Sequence, residues 1–376
     1  MPGLYLHIPF CKKACHYCNF HFSTSLGQKE AMLQAILQEL ELQKDYLSGA
    51  ALQSVYLGGG TPSLLEIKEL EAIFDKIALL HHLLPDAEIT LEANPDDLNA
   101  EKLRALRDHT PVNRLSIGIQ SFSDQDLQWM NRTHNAAEAR QSLELALSAG
   151  FQGLTVDLIY GAPTTSDEQW EANLQTVLGY GIPHLSAYCL TVEDGTALGT
   201  WVKKGQQQPV DEEKAARHFE ALVGLTADAG YEHYEISNFA LPGRYARHNT
   251  NYWLGIPYLG IGPSAHSFDG RSRQWNIANN AAYIRAIAQG ALPCESEMLT
   301  PEQRYNEYVM TSLRTIWGTD SAEIQKMGGE FCAFFEKKAA PFIQNGLIER
   351  HGEQCYRLTR AGKLLADGVA AELFWE

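Results

Sequence analysis

The chain has 376 residues, 45% of them hydrophobic and 20% charged, which fits a folded protein with one large domain and a smaller one. Lys and Arg number 30 against 46 Asp and Glu, a net charge of −16, and such a surface repels phosphate backbones, which excludes nucleic acid as a main partner. Seven cysteines without a framework of pairs, no secretory leader and no apolar run of roughly 18 residues predict a cytoplasmic protein without a spanning helix, leaving room for peripheral membrane contact.

Between Leu4 and about Thr191, short β-rich runs alternate with longer stretches carrying apolar residues every three or four positions, the pattern of consecutive βα units around a parallel sheet. Strands are expected at Leu4–Ile8, Ser54–Leu57, Glu88–Glu92, Arg114–Ile119, Gly153–Ile159 and His184–Leu190. Helices are expected at Lys29–Tyr46, Ile67–Leu80, Ala100–Arg107, Ala136–Ala149 and Ser166–Gly179. Beyond them, Gly205–Pro209 reads as an exposed linker, Asp211–Ala229 as a helix and Tyr231–Phe239 as a strand extending the first domain. From about Ala281 the pattern turns mostly helical, and Phe331–Gln344, Leu347–Arg350, Cys355–Leu358 and Arg360–Phe374 read as helix, hairpin and helix, a winged-helix-like module. At this net charge the module is better read as structural than as DNA-binding.

The first expected strand runs into Cys11, Cys15 and Cys18, a loop over residues 11–18 that can aim three sulfurs at a soft metal centre. Three thiolates on a four-iron cluster leave one iron open to a small molecule. Two competing readings stand beside it: a zinc knuckle completed by His7, His16 or His21, and three cysteines that are merely close. Later strands also end in chemically useful residues, namely Gly58-Gly59-Gly60-Thr61-Pro62, Glu92-Ala93-Asn94-Pro95, Gln120-Ser121-Phe122 and Asp157. In parallel α/β folds ligands gather at those ends. The glycines admit close backbone approach but lack the Gly-Lys-Ser/Thr of a P-loop and the spacing of a dinucleotide fingerprint. Read singly, Glu92 and Asp157 are ordinary strand-end or core acids and Tyr5 is a packing residue.

Cys-x3-Cys-x2-Cys after a first strand and Gly-Gly-Gly-Thr-Pro after a second resemble the radical S-adenosylmethionine (SAM) enzymes. Tyr5–Cys11, Leu91–Pro95, Gly118–Phe122 and Asp157–Gly161 are similar to the subgroup containing oxygen-independent coproporphyrinogen III oxidase. The resemblance implies an α/β fold, a partial (β/α)6 TIM-like barrel with a mostly helical C-terminal domain. The expected boundaries are a barrel over 1–240, a connecting region over 241–290 and the C-terminal domain over 291–376. It further implies a [4Fe–4S] cluster on Cys11, Cys15 and Cys18, with SAM among Tyr5, Tyr17, Gly59, Gly60, Thr61, Glu92, Gln120, Arg132 and Asp157.

The oxidase pattern places a fourth cysteine two positions after the third, where this sequence has Phe20, and carries an extension ahead of the first cysteine where this chain has ten residues. Both departures favour the haem-chaperone sister group over porphyrinogen decarboxylation, which is the alternative activity. His248-Asn249-Thr250-Asn251-Tyr252-Trp253 resembles the haem-linked element of that group, with His248 as the implied ligand and His266 a weaker candidate. Imidazole ligates haem iron and Tyr252 and Trp253 offer flat faces, although a histidine beside aromatics is more often a structural hydrogen-bonder. The implied cargo is haem, the implied partners are acceptor haemoproteins such as respiratory enzymes, and a homodimer is compatible with the sequence.

Overall fold

Along the first strand Leu4, Leu6 and Ile8 alternate with Tyr5 and His7, so an extended chain turns one face to a core and the other to an interior of different chemistry. The computed structural model, which describes residues 1–376, repeats this alternation over six parallel strands. They are β1 (Gly3–Ile8), β2 (Leu52–Gly59), β3 (Leu83–Ala93), β4 (Arg114–Gln120), β5 (Gly153–Tyr160) and β6 (His184–Cys189). Parallel neighbours need crossovers, and these carry α1 (Lys29–Leu42), α2 (Ile67–Leu80), α3 (Ala100–His109), α4 (Asp124–Trp129), α5 (Ala136–Ser148) and α6 (Asp167–Gly179). Leu6, Leu57, Leu91, Val156 and Leu185 on the outer face join Ile36, Ile73, Leu103, Leu143 and Leu174 of the helices in one core of 51 buried residues.

The register aligns Tyr5 with Tyr56, Glu92 with Ser116 and Asp157 with Ser186, so the inner face is polar in successive rows. Parallel strands covered on both faces usually read as unbroken apolar runs. The polar phase here marks an interior built to hold something.

The sheet continues past these six strands. After α7 (Ala197–Lys203) and α8 (Glu212–Asp228) come β7 (Glu232–Glu235) and β8 (Asn238–Ala240), then α9 (Arg247–Trp253), β9 (Tyr258–Ile261), β10 (His266–Phe268), β11 (Ser272–Asn276), α10 (Asn280–Ala288) and β12 (Cys294–Met298). The twelve strands form one open sheet in the order β12-β11-β10-β9-β1-β2-β3-β4-β5-β6-β8-β7. Residues 241–290, expected to connect two domains, thus add β9, β10 and β11 to that sheet, with β9 parallel to β1.

The expected strands match the observed ones to within two residues except β3, which starts at Leu83 rather than Glu88, and two further local readings change. The helix expected over Lys29–Tyr46 stops at Leu42. Gly205–Pro209 is largely exposed, as expected, and the following α8 extends the first unit, with Phe219 and Leu222 buried in the main core. The strand expected over Tyr231–Phe239 is a hairpin, β7 and β8, turned where the Glu235 carboxylate accepts the Ser237 N–H at 3.0 Å.

The C-terminal unit comprises α11 (Pro301–Leu313), β13 (Thr319–Asp320), α12 (Ser321–Met327), α13 (Gly329–Gln344), β14 (Ile348–His351), β15 (Cys355–Leu358), α14 (Arg360–Leu364) and α15 (Ala366–Glu372). It has its own core of 14 buried residues, and the expected helix, hairpin and helix are present with the last helix divided at Leu365. Arg314 fastens it to the sheet, donating to Glu235 at 3.0 Å and Asp367 at 2.7 Å while its guanidinium lies 5.3 Å from the Trp253 ring centre. No helix is long and apolar enough to cross a membrane.

Candidate functional site

The carboxyl ends of the parallel strands surround a cavity of about 390 Å³. All three clustered cysteines line it, with Tyr17, Gly59, Gly60, Thr61, Glu92, Gln120, Arg132 and Asp157, so eight of the nine residues implied for SAM meet in one place. Tyr5 and His248 do not line it.

The cysteine loop has little regular structure and is held by its neighbours. The Cys11 N–H donates to Ser23 O at 3.0 Å, the Asn131 amide donates to Ala14 O at 2.8 Å, and Lys12 pairs with Asp96 at 2.7 Å and with Asp97. Arg132 Nη1 donates to Cys15 Sγ at 3.4 Å and Thr61 Oγ1 to Cys11 Sγ at 3.5 Å, the donors that a thiolate accepts. Burial pushes the Cys11 thiol up to about 11, which favours the neutral form until a cation stands beside it.

None of the imidazoles that would complete a zinc knuckle lines the cavity with the cysteines, and each has a ring nitrogen bonded elsewhere. His7 Nε2 bonds to His21 O at 2.8 Å, His16 Nδ1 to Trp129 O at 2.8 Å and His21 Nε2 to Asn280 at 2.7 Å. No three His, Cys, Asp or Glu side chains converge on one ion position. This donor set suits a polynuclear cluster, with a separate iron for each sulfur, better than a single zinc.

Around the rest of the cavity each side chain is placed by its strand end. Gly59 has φ +100°, and a Cβ there would lie 2.5 Å from the His7 ring, so only glycine fits. The Gly60 and Thr61 amides bond back to Ile8 O at 3.0 Å and Phe10 O at 2.7 Å, tying the glycine run to the start of the cysteine loop. Gln120 has φ +66° at a register shift between β4 and β5, a strained backbone of the kind that collects at binding sites. Arg132 donates to Asn94 and to Gly118 O, both at 2.7 Å, yet its buried Nε has no partner. An incoming carboxylate would supply one.

Two carboxyl groups share the wall. Burial, with Asp157 adding repulsion, pushes Glu92 up to about 7 against the hydrogen bonds from Tyr56 at 2.7 Å and Gly59 N at 3.1 Å. Burial likewise pushes Asp157 up to about 6, opposed by Ser186 and by Ser116, which donates at 3.1 Å. Two buried acids with raised pKa in one cavity suit a ligand bearing hydroxyl and cationic groups.

Tyr5 and His248 lie nearer the amino ends of the strands. The Tyr5 hydroxyl meets His7 Nδ1 at 3.1 Å. His248, on α9, is 2% exposed, with Nδ1 at 2.8 Å from Ser54 Oγ and Nε2 at 2.9 Å from the Tyr252 hydroxyl. Both ring nitrogens are occupied, and burial holds the ring neutral, its pKa down to about 3. Its expected role as a haem ligand is not displayed in this conformation. His266, by contrast, is exposed and stacks on Trp275 at 6.3 Å.

Sequence reasoning missed Asn94, Ser116 and Tyr188, which also line the cavity. Asn94 stood inside the Glu-Ala-Asn-Pro run, and Ser116 and Tyr188 share the inward parity of Glu92 and Ser186; period-two reading of each strand would have found them.

The open sheet, the three-cysteine loop after its first strand and the strand-end cavity define the radical SAM architecture, and the Radical SAM superfamily profile matches residues 5–177. The HemN C-terminal domain profile matches residues 299–365. The structure of coproporphyrinogen III oxidase (HemN) from Escherichia coli superposes with a TM-score of 0.85 at 24% identity, covering 99% of this chain and 90% of that one. The haem chaperone HemW of Mycobacterium tuberculosis is 35% identical over 99% of this chain and 94% of its own, and that of Bacillus subtilis 33% identical over 98% of each. The chain belongs to the HemW family of the radical SAM superfamily.

Proposed function

We propose that this chain is a haem chaperone: it carries a [4Fe–4S] cluster on Cys11, Cys15 and Cys18, binds SAM beside it, holds haem and passes it to acceptor haemoproteins. The observation that carries the reading is the single cavity lined by three free cysteines, two carboxyl groups raised by burial and the Arg132 guanidinium. Relationship to the HemW proteins along the whole chain supports the chaperone activity, as does Phe20, 67% exposed at the cavity rim where the oxidase pattern has a cysteine.

When bound, the cluster would supply an open iron and an electron, and SAM a reducible sulfonium. The chain's own residues do the positioning. The Arg132 guanidinium would meet the ligand carboxylate, Glu92 and Asp157 would hold hydroxyl or amino groups, the Gly59–Gly60 edge and Thr61 would bond its amino-acid part, and Tyr17 would offer a ring to a flat base. For haem, His248 becomes a ligand only when Nε2 is released from Tyr252, which requires α9 to yield locally.

The test of the haem half is His248→Ala in cluster-reconstituted protein. Haem retention should fall while iron and sulfide content stay at the parent level; unchanged retention removes His248 from the site.

A further inference from the structure

We propose that Tyr56 is a positioning residue that couples the strand-end cavity to His248, so that a ligand at Glu92 alters how α9 holds haem. This rests on the function proposed above. Ser54, Tyr56 and Gly58 share the inward parity of β2 and lead from the amino end toward the cavity. At the lower step, Ser54 Oγ meets His248 Nδ1 at 2.8 Å. At the middle step, the Tyr56 ring stacks on His248 with centres 5.1 Å apart and an interplanar angle of 27°, and Tyr5 stacks on Tyr56 at 6.2 Å. At the upper step, the Tyr56 hydroxyl donates to Glu92 Oε1 at 2.7 Å. Gly58 leaves room for that contact, because a Cβ there would lie 2.8 Å from Tyr56 Cε1 and 3.0 Å from Glu92 Oε1.

Glu92 is therefore both a wall of the cavity and the anchor of the phenol. A coupled site needs a ligand that interacts differently with two arrangements of the protein. A ligand hydroxyl or ammonium that takes Glu92 Oε1 competes with Tyr56 and leaves a buried phenol without its acceptor, a cost that a shift of the ring relieves. The ring that shifts is the one packed against His248. Occupying the cavity thus loosens the packing that keeps His248 covered and favours haem.

The experiment is a haem titration of the full-length, cluster-reconstituted protein under anaerobic conditions, with and without SAM, following the Soret band. In the parent protein SAM should tighten haem binding by of order tenfold. Tyr56→Phe, with no hydroxyl to anchor, should show the tighter haem affinity without SAM and gain nothing from adding it, an effect that loss of packing alone does not produce. Tyr56→His, which keeps a flat ring and an N–H donor, should restore the dependence on SAM. Equal haem affinity with and without SAM in parent protein that binds each ligand alone, or a parent-like ratio in Tyr56→Phe, overturns the coupling while leaving the proposed function intact. Failure of the parent protein to bind haem or SAM at all overturns the proposed function and this inference together.

Discussion

Glu88 and Glu92 lie four residues apart on β3 and face the same interior, yet the two ends of that interior treat them differently. Glu88 accepts the backbone N–H groups of Arg247 at 2.9 Å and His248 at 2.8 Å and has Arg114 at 3.8 Å, so it caps α9. Glu92 lines the strand-end cavity, held by Tyr56 and the Gly59 N–H, and burial with repulsion from Asp157 raises it to about 7. One carboxylate is consumed in closing the floor of the barrel, and the other stands in the cavity wall where a ligand can reach it. On β3 the amino end thus serves stability and the carboxyl end lines the cavity, the division expected of βα barrels.

The strongest way to break this contrast is at the cavity. Cys15→Ala should reduce iron after reconstitution to background, read by metal analysis and visible absorbance, because two thiolates cannot hold the cluster; full iron content contradicts the site. A smaller effect separates the two acids. Glu88→Gln should cost about 1–2 kcal/mol in chemical denaturation, since it weakens a charge-assisted cap and removes a carboxylate 3.8 Å from Arg114, while SAM affinity stays unchanged. Glu92→Gln should do the reverse, weakening SAM about tenfold, roughly 1.4 kcal/mol, and leaving stability at or above the parent level near pH 8.

The smallest effect is in pH. Glu92 and Asp157 hold their protons to about 7 and 6 in the fold, against ordinary values of 4.5 and 3.8. The folded protein keeps protons that the unfolded chain has released, so the contribution of these two groups is complete below about pH 4 and is lost as pH rises through 6 and 7. A cationic ligand beside them prefers both ionised. Its affinity should therefore rise through the same window, with Tyr5, Cys18, Tyr56, Tyr188, Arg114 and Arg132 the other groups facing the pair, and isothermal titration between about pH 5.5 and 8 reads this directly. A flat profile would show that the acids do not meet the charge of the ligand.

The sheet was legible because its outer face is strictly apolar: Leu4, Leu6 and Ile8, or Leu154, Val156 and Leu158, announce both strand and register. What escaped were strands without that signature. β11 (Ser272–Asn276) and β12 (Cys294–Met298) have short, largely polar sequences, with Glu295 and Glu297 exposed on an edge, and only pairing shows them to be strands. The cysteine loop and the strand ends were equally plain, because their residue types follow directly from the chemistry. Tyr5 was not, since its depth within the barrel depends on how far the strand extends below the cavity. His248 was read as an open ligand because its motif is local, whereas the bonds that occupy its ring come from Ser54, 194 positions away, as well as from Tyr252.

The central claim is tested most directly by anaerobic reconstitution of the full chain with iron and sulfide, loading with haem and SAM, and mixing with an apo-haemoprotein acceptor. The proposed chaperone should transfer haem intact, seen as a shift of the Soret band from donor to acceptor, and should form no protoporphyrinogen when offered coproporphyrinogen III instead. Stoichiometric protoporphyrinogen formation without haem transfer would contradict it.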